Sequence, residues 1–411
     1  LRRAWATVPG NVDLVMYWWE RAGTLARKRQ VRAFGFVSTN SIKQITNRVI
    51  INRHRSAIDP LAIVFAIPDH PWRDPETDAA VRVAFTAATA GIGPGLLQMV
   101  VKESKGRSES VALDLAEIKG TINADLTIGS DTSQAPPLKS NAKLSYMGVI
   151  PVGMGFRVSM DTAAAVIAES KGTPFLRRYL GGSDLTDNVA PSLILDVGAL
   201  NENELKVRLP VTYQYLLNEV KPHRLGAERS NHREQWWRFG EQRVDMRRAI
   251  SGLPRYIATT ETAKYRVFSF LDSSILPDQK LRVIALEDAY ALGILSSRVH
   301  LVWASAAGGR QGVGNDLVYN HTTCFDPFPF PADVPEALAD KIRAEAEALD
   351  ALRKKVLAEH DDLTLTGLYN VLEALRAAEA SGRVLSDKER DIAERGWVSL
   401  VRQYHEAIDA A

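Results

Sequence analysis

Residues 11–28 place Val12, Val15, Met16, Trp19, Ala22 and Leu25 at helical spacing behind Asn11, which suits an N-cap, so the pattern predicts an amphipathic helix. The apolar run 31–37 predicts a buried strand. It ends in the polar step Ser38-Thr39-Asn40-Ser41, suited to capping a second helix whose apolar face is Ile42, Ile45, Val49 and Ile50. Residues 61–67 read as another buried strand, followed by a polar loop, Pro68-Asp69-His70-Pro71-Trp72. Two further strands, 80–89 and 97–102, read as a pair joined by a turn. The weakly charged stretch 83–101 approaches membrane length, but Gly91, Gly93, Pro94 and Gly95 interrupt it, so no membrane contact is expected. Helix, strand, helix, strand and a strand pair make half of an α/β sheet. With no initiator Met, the chain is expected to be a piece of a longer protein whose earlier part completes that sheet.

From about residue 103 the texture changes. Residues 103–120 are charged and mixed, and Ala135-Pro136-Pro137 punctuates a polar connection. Between 140 and 330, short strand patterns (146–154, 256–260 and 268–271) alternate with helical ones such as 289–297. In Cys324-Phe325-Asp326-Pro327-Phe328-Pro329-Phe330-Pro331 the prolines recur every second residue, which predicts an extended strap with its rings packed on a core. The last stretch, 332–411, reads as helical and acidic, with 17 Asp/Glu against 11 Lys/Arg. The predicted organisation is therefore 1–103 as a half-sheet, 104–139 as a linker, 140–331 as a mixed α+β domain and 332–411 as a helical tail.

Of the 411 residues 45% are apolar and 24% charged, which excludes a disordered or collagenous chain. The single cysteine, Cys324, excludes a disulfide framework and fits a reducing, cytoplasmic setting. A net charge of +2 hides an uneven distribution: residues 1–60 hold 11 Lys/Arg against 3 Asp/Glu, and residues 221–266 hold 11 against 5. The second segment interleaves bases with rings: Arg229, His232, Arg233, Trp236, Trp237, Arg238, Phe239, Arg243, Arg247 and Arg248. Bases neutralise phosphates and flat rings stack on nucleobases. A solvated helix face with a buried Trp pair accounts for the same residues, and both readings stay open here.

The usual catalytic constellations are missing. No Gly-x-Ser-x-Gly elbow occurs, and His321 and Cys324 lack the second ligand pair of a zinc site, so no metal is expected. Asp69, His70 and Asp74 read equally well as ligands or as loop caps. The Gly-rich stretch 308–316 lacks the strand-to-helix step of a phosphate loop. Its glycines allow close approach of a large partner, with Arg310, Asn315 and Asp316 suited to base edges; a surface loop is the alternative. Asp272, Asp278 and Lys280 superficially resemble the carboxylate–x–lysine element of a magnesium nuclease, against a plain turn after Pro277.

Val12-Asp13-Leu14-Val15-Met16-Tyr17-Trp18-Trp19-Glu20, followed by residues 33–42, is similar to adenine-N6 DNA methyltransferases, and more closely to the group related to single-chain type II restriction–modification enzymes. The stretch 292–300 with Trp303, Tyr319-Asn320 and Phe328-Pro329-Phe330-Pro331 resembles their target-recognition domain. Thr366-Gly367-Leu368-Tyr369-Asn370-Val371-Leu372 resembles their helical tail. The resemblance spans the chain in order. It implies the second half of a class I, Rossmann-like methyltransferase sheet, a mixed α+β recognition domain and an α-helical C-terminal region.

Family members bind S-adenosylmethionine through a Gly-rich motif and catalyse with an Asn-Pro-Pro segment; neither occurs in these 411 residues. The resemblance thus implies no catalytic residue in this chain and no cofactor bound by it alone. It implies double-stranded DNA as partner, and the missing N-terminal half as a second one. Thr39, Asn40 and Ser41 are then expected to line the pocket for the flipped base. The expected DNA contacts are Arg233, Trp236, Trp237, Arg238, Arg243, Arg247, Lys280, Arg298, Arg310, Asn315 and Asp316. The rival readings are a specificity module without a catalytic site and a metal-dependent nuclease.

Overall fold

The computed structural model describes residues 5, 7–73, 80–105, 111–132, 135–170, 175–311 and 316–411. The chain folds as two compact units, Leu1–Ala135 and Pro136–Ala411.

The first unit carries helix α1 (Leu14–Arg27), strand β1 (Ala33–Thr39), helix α2 (Ile45–Arg55) and strands β2 (Leu61–Arg73), β3 (Ala80–Ala90), β4 (Gly95–Lys105) and β5 (Val111–Gly120). Their order in the sheet is β1-β3-β2-β4-β5. Because β3 is antiparallel to both β1 and β2, those two run parallel with a reversed strand between them. The sheet face bearing Ile63, Ala84, Ala88 and Leu97 is covered by Met16, Trp19, Ala26, Ile50 and Ile51 of the two helices. Trp19 meets Phe34 edge to face, with centroids 4.9 Å apart.

Three expectations need correction. The runs 80–89 and 97–102 are strands but not a hairpin, because β2 lies between β3 and β4 and pairs with both. The polar loop 68–72 is the far end of β2. An extra residue between Ile67 and His70 forms a bulge, so the strand passes Pro68 without needing its missing N–H. The charged segment placed in a linker, 104–139, contains β5, which pairs with β4 along its length. The alternation of Val111, Leu113 and Leu115 breaks at Glu117 and Ile118, and this edge strand, with exposed Asp114, Glu117 and Lys119, is held by backbone bonds.

In the second unit an antiparallel sheet orders Ser269–Asp272, Arg255–Thr260, Leu281–Ile284 and Ser145–Met147. A second sheet orders Ile275–Pro277, Leu176–Leu180, Ser192–Leu195 and Arg157–Val158, and a three-stranded one orders Thr262–Ala263, Asp316–Val318 and Gly309–Gln311. The tail is helical, as predicted: Glu336–Glu359, Leu365–Ser381, Asp387–Arg395 and Val398–Ala410. The proline strap starts in a π-helical turn, His321–Phe325, and its rings do pack inward. Phe328 lies 4.3 Å from the His300 ring, and Asn141 Nδ2 donates to the carbonyls of Phe325 and Phe328 at 3.1 and 2.7 Å. A five-stranded α/β unit, a mixed α+β unit and a helical end follow one another in the order expected from the sequence.

Candidate nucleic-acid interface

The first candidate surface is the C-terminal end of β1. Thr39 is exposed, and its hydroxyl lies 2.6 Å from that of Ser41. Ser41 Oγ donates to Asp13 Oδ2 at 2.5 Å, and the fully buried Asn47 donates to the same oxygen at 2.9 Å and to the Ser41 carbonyl at 2.8 Å. Asn40 donates to Asp69, whose carboxylate also meets Arg82 at 2.8 Å. The fold thus brings Thr39, Asn40 and Ser41 into one polar array. The capping expectation fails: residues 40–43 form a short 3-10 turn, α2 starts after Gln44, and no side-chain cap bond is made at Thr39 or Gln44. The N-cap of α1 is Asp13, not Asn11, and its carboxylate is committed to Ser41 and Asn47 instead of to its own helix.

In the second unit the basic, aromatic segment is largely internal. Trp236 and Trp237 are 3% and 7% exposed and pack against each other in the core, so neither offers a face for a nucleobase. Trp237 Nε1 donates to the Leu200 carbonyl at 2.9 Å, which satisfies the indole as burial demands. Arg247 is paired with Asp196 at 2.6 Å. Arg238 lies over the Trp237 ring and donates to Gln235 at 3.2 Å. Arg243 adopts a left-handed backbone (φ 53°) and reaches Met147 Sδ at 3.3 Å. Arg233 is exposed and forms no ion pair among the described residues; its guanidinium donates to the carbonyls of Ala227 and Glu228. Three more arginines are spent inside: Arg224 donates to the Pro151 carbonyl, Arg266 to that of Leu317, and Arg282 to Glu261. Burial pushes Arg266 down to about 10.

Beside them opens a groove of about 400 Å³, lined among others by Arg157, Gly182, Asp184, Thr262, Asp278 and Lys280. Lys280 is 62% exposed and ion-paired to Glu261 at 2.9 Å. Gly182 lets the chain approach it closely: a Cβ there would stand 3.0 Å from Lys280 Cβ. Glu261 N–H donates to the Lys280 carbonyl, and the next residue, Thr262, pairs with Val318 of the three-stranded sheet. The structure therefore joins Lys280 to the base of the hairpin formed by Gly309–Gln311 and Asp316–Val318. Asp316 is half-buried there, opposite Gln311. Only the backbone of Arg310 is described, and Asn315 lies outside the described residues. Arg298 opens the helix Arg298–Ala307 with its side chain exposed and its N–H bonded to Asp409 at 2.7 Å.

The nuclease element is not assembled. Asp272 accepts from Ser274 N–H in a turn, Asp278 from the Tyr179 hydroxyl and Lys280 N–H, and Lys280 Nζ faces Glu261. Among the described residues no group of three His, Cys, Asp or Glu is placed to hold a metal ion. Cys324 is fully buried with its thiol pushed up by burial, as a structural cysteine should be. Sequence reasoning missed Asp13, Asn47, Arg157 and Glu261. Each is a lone polar residue whose partner lies far along the chain.

Residues 133–332 match the family model described as the target recognition domain of MmeI. The whole chain superposes on the type IIL restriction–modification enzyme MmeI, solved in complex with DNA, with TM-score 0.71 and 18% identity, covering 51% of that chain. DNA methyltransferase A of Bacillus subtilis (strain 168) is 22% identical over 367 residues, which is 87% of this chain and 39% of that protein. The chain thus spans about half or less of the length of these relatives. The superposition shows a shared fold over the whole chain, and the family model covers residues 133–332, just under half of it.

Proposed function

We propose that the second unit reads the sequence of duplex DNA for an S-adenosylmethionine-dependent adenine-N6 methyltransferase, and that the first unit forms one wall of its catalytic cleft. The observation that carries this reading is the match of residues 133–332 to a target recognition domain. The exposed Lys280 beside the hairpin supports it, its ammonium being presented at the groove by its ion pair with Glu261. Thr39, Asn40 and Ser41 line the wall of the flipped-base pocket in this scheme. Arg233, Arg238 and Arg243 serve phosphate contacts, Arg298 a flanking one, and Arg310, Asn315, Asp316 and Lys280 the base edges. Trp236, Trp237 and Arg247 are removed from the interface by their burial and pairing.

The residues present do not fit the cofactor. The polar groups at the end of β1 are hydrogen-bonded to one another, and no Gly-rich turn follows β1 or β2. Binding and transfer of the methyl group belong, in this reading, to a segment outside these residues, and the protein is expected to work in the cytoplasm.

The test is selection from randomised duplexes by the 411-residue chain, followed by titration at two salt concentrations. A defined motif should emerge, with non-specific binding falling steeply as salt rises. Enrichment of no motif, with binding to all duplexes alike, would remove the sequence-reading role.

A further inference from the structure

The loop between Ile150 and Arg157 combines three features that rarely meet. Its tip is apolar and open to solvent, with Met154 77% and Val152 39% exposed. Its backbone is held in conformations that side chains disfavour: Val152, a β-branched residue, has φ 54°, and Gly153 follows at φ 123°. And it is clamped on both sides. On one side the buried Arg224 donates to the Pro151 carbonyl at 2.6 Å, and Ile150 exchanges backbone bonds with Glu241 at 3.1 and 3.0 Å. On the other, Phe156 is fully buried against Phe239, and Gly155 lies so close to Glu219 that a Cβ would stand 2.5 Å from its carbonyl oxygen.

A surface loop with no task would shed both the strain and the exposed methionine. Here buried residues hold the tip rigidly outward. Basic residues flank it, beside the acidic Glu219 and Glu241, of which Glu241 pairs with Arg229. Arg157, immediately after the loop, lines the groove that also holds Lys280. Gly240, which donates to the Pro151 carbonyl, ends the segment bearing Arg229, Arg233 and Arg238.

We propose that Val152 and Met154 form an apolar wedge that enters the base stack of the bound duplex at one step. A flexible, polarizable thioether suits a gap between bases, and such wedges partly unstack and kink DNA. The arginines on either side hold the backbone while the stack opens. This inference rests on duplex DNA being the ligand of the second unit.

The experiment scans 2-aminopurine through the selected duplex and follows its fluorescence on adding the full 411-residue chain. Fluorescence should rise at one step, which reports unstacking there. Met154→Ala should abolish the rise and weaken binding to that duplex by roughly tenfold, while Met154→Leu restores both. Val207→Ala, at another exposed apolar residue, controls for loss of surface hydrophobicity and should change nothing. Tight binding with no step-localised rise, or an undiminished rise in Met154→Ala, overturns the wedge and leaves the DNA reading standing. Failure of the wild-type chain to bind any duplex overturns both.

Discussion

Glu261 holds Lys280 and Arg282 on one carboxylate, the first through an exposed ammonium at 2.9 Å and the second through a buried guanidinium at 2.5 Å. Partial burial pushes the Glu261 carboxyl up, but the two cations outweigh it and keep it below the usual range. Arg282 anchors the carboxylate from beneath, and the carboxylate presents Lys280 at the groove.

The two cations should therefore separate in mutation. Lys280→Ala removes an exposed pair and should change stability by less than about 1 kcal/mol. It should nevertheless lower affinity for the selected site by about 1–3 kcal/mol while sparing non-specific binding. Arg282→Ala leaves a partly buried carboxylate without its buried partner and should destabilise by about 2–4 kcal/mol. Chemical denaturation and duplex titration of both variants check this.

Arg233 and Arg247 belong to one basic run but should part company as well. Arg247→Ala strands the largely buried Asp196 carboxylate and should cost about 1–3 kcal/mol of stability, with the salt dependence of DNA binding unchanged. Arg233→Ala should leave the melting temperature alone and reduce the slope of log affinity against log salt by about one. Equal salt slopes for the two variants would contradict this division.

Acid should weaken the second unit through two histidines kept neutral by burial. His300, bonded to the Tyr319 hydroxyl at 3.0 Å, and His405, bonded to that of Tyr369 at 2.7 Å, are both pushed down to about 3. Their pKa values are lower in the folded chain than in the unfolded one, so the unfolded chain takes up more protons as pH falls. Stability should be full above about pH 6.5 and decline from there towards pH 3, by on the order of 2–3 kcal/mol per histidine at pH 4.5. Denaturant titrations between pH 7.5 and 4.5 should show this decline, reduced in His405→Gln relative to that variant's own stability at pH 7.5.

Much of the fold is local in origin and was legible for that reason. Trp19 and its helical neighbours, the runs at 31–37 and 61–67, and the prolines around Phe328 announce a helix, two strands and a strap through spacing that a short window contains, although the first strand, Ala33–Thr39, is a largely exposed edge strand and not a buried one. The polar step at Thr39, Asn40 and Ser41 was visible in the same way, as the end of a strand. Its organiser, Asp13, was not, because its partners Ser41 and Asn47 lie 28 and 34 residues away.

The sequence by itself determined the first helices and strands and the helical end, the break between an α/β unit and a mixed α+β unit, and the surplus of basic residues in 221–266. Only the tertiary structure decided which of those bases face solvent. Arg224, Arg247 and Arg266 have the same composition signal as Arg233, yet each is consumed by a carbonyl or carboxylate that a distant segment supplies. The same holds for the insertion of β3 between β1 and β2, and for the strained tip at Val152, whose clamps come from Arg224 and Glu241. Spacing along a chain fixes what a segment can form, whereas desolvation and pairing depend on which distant groups close over it.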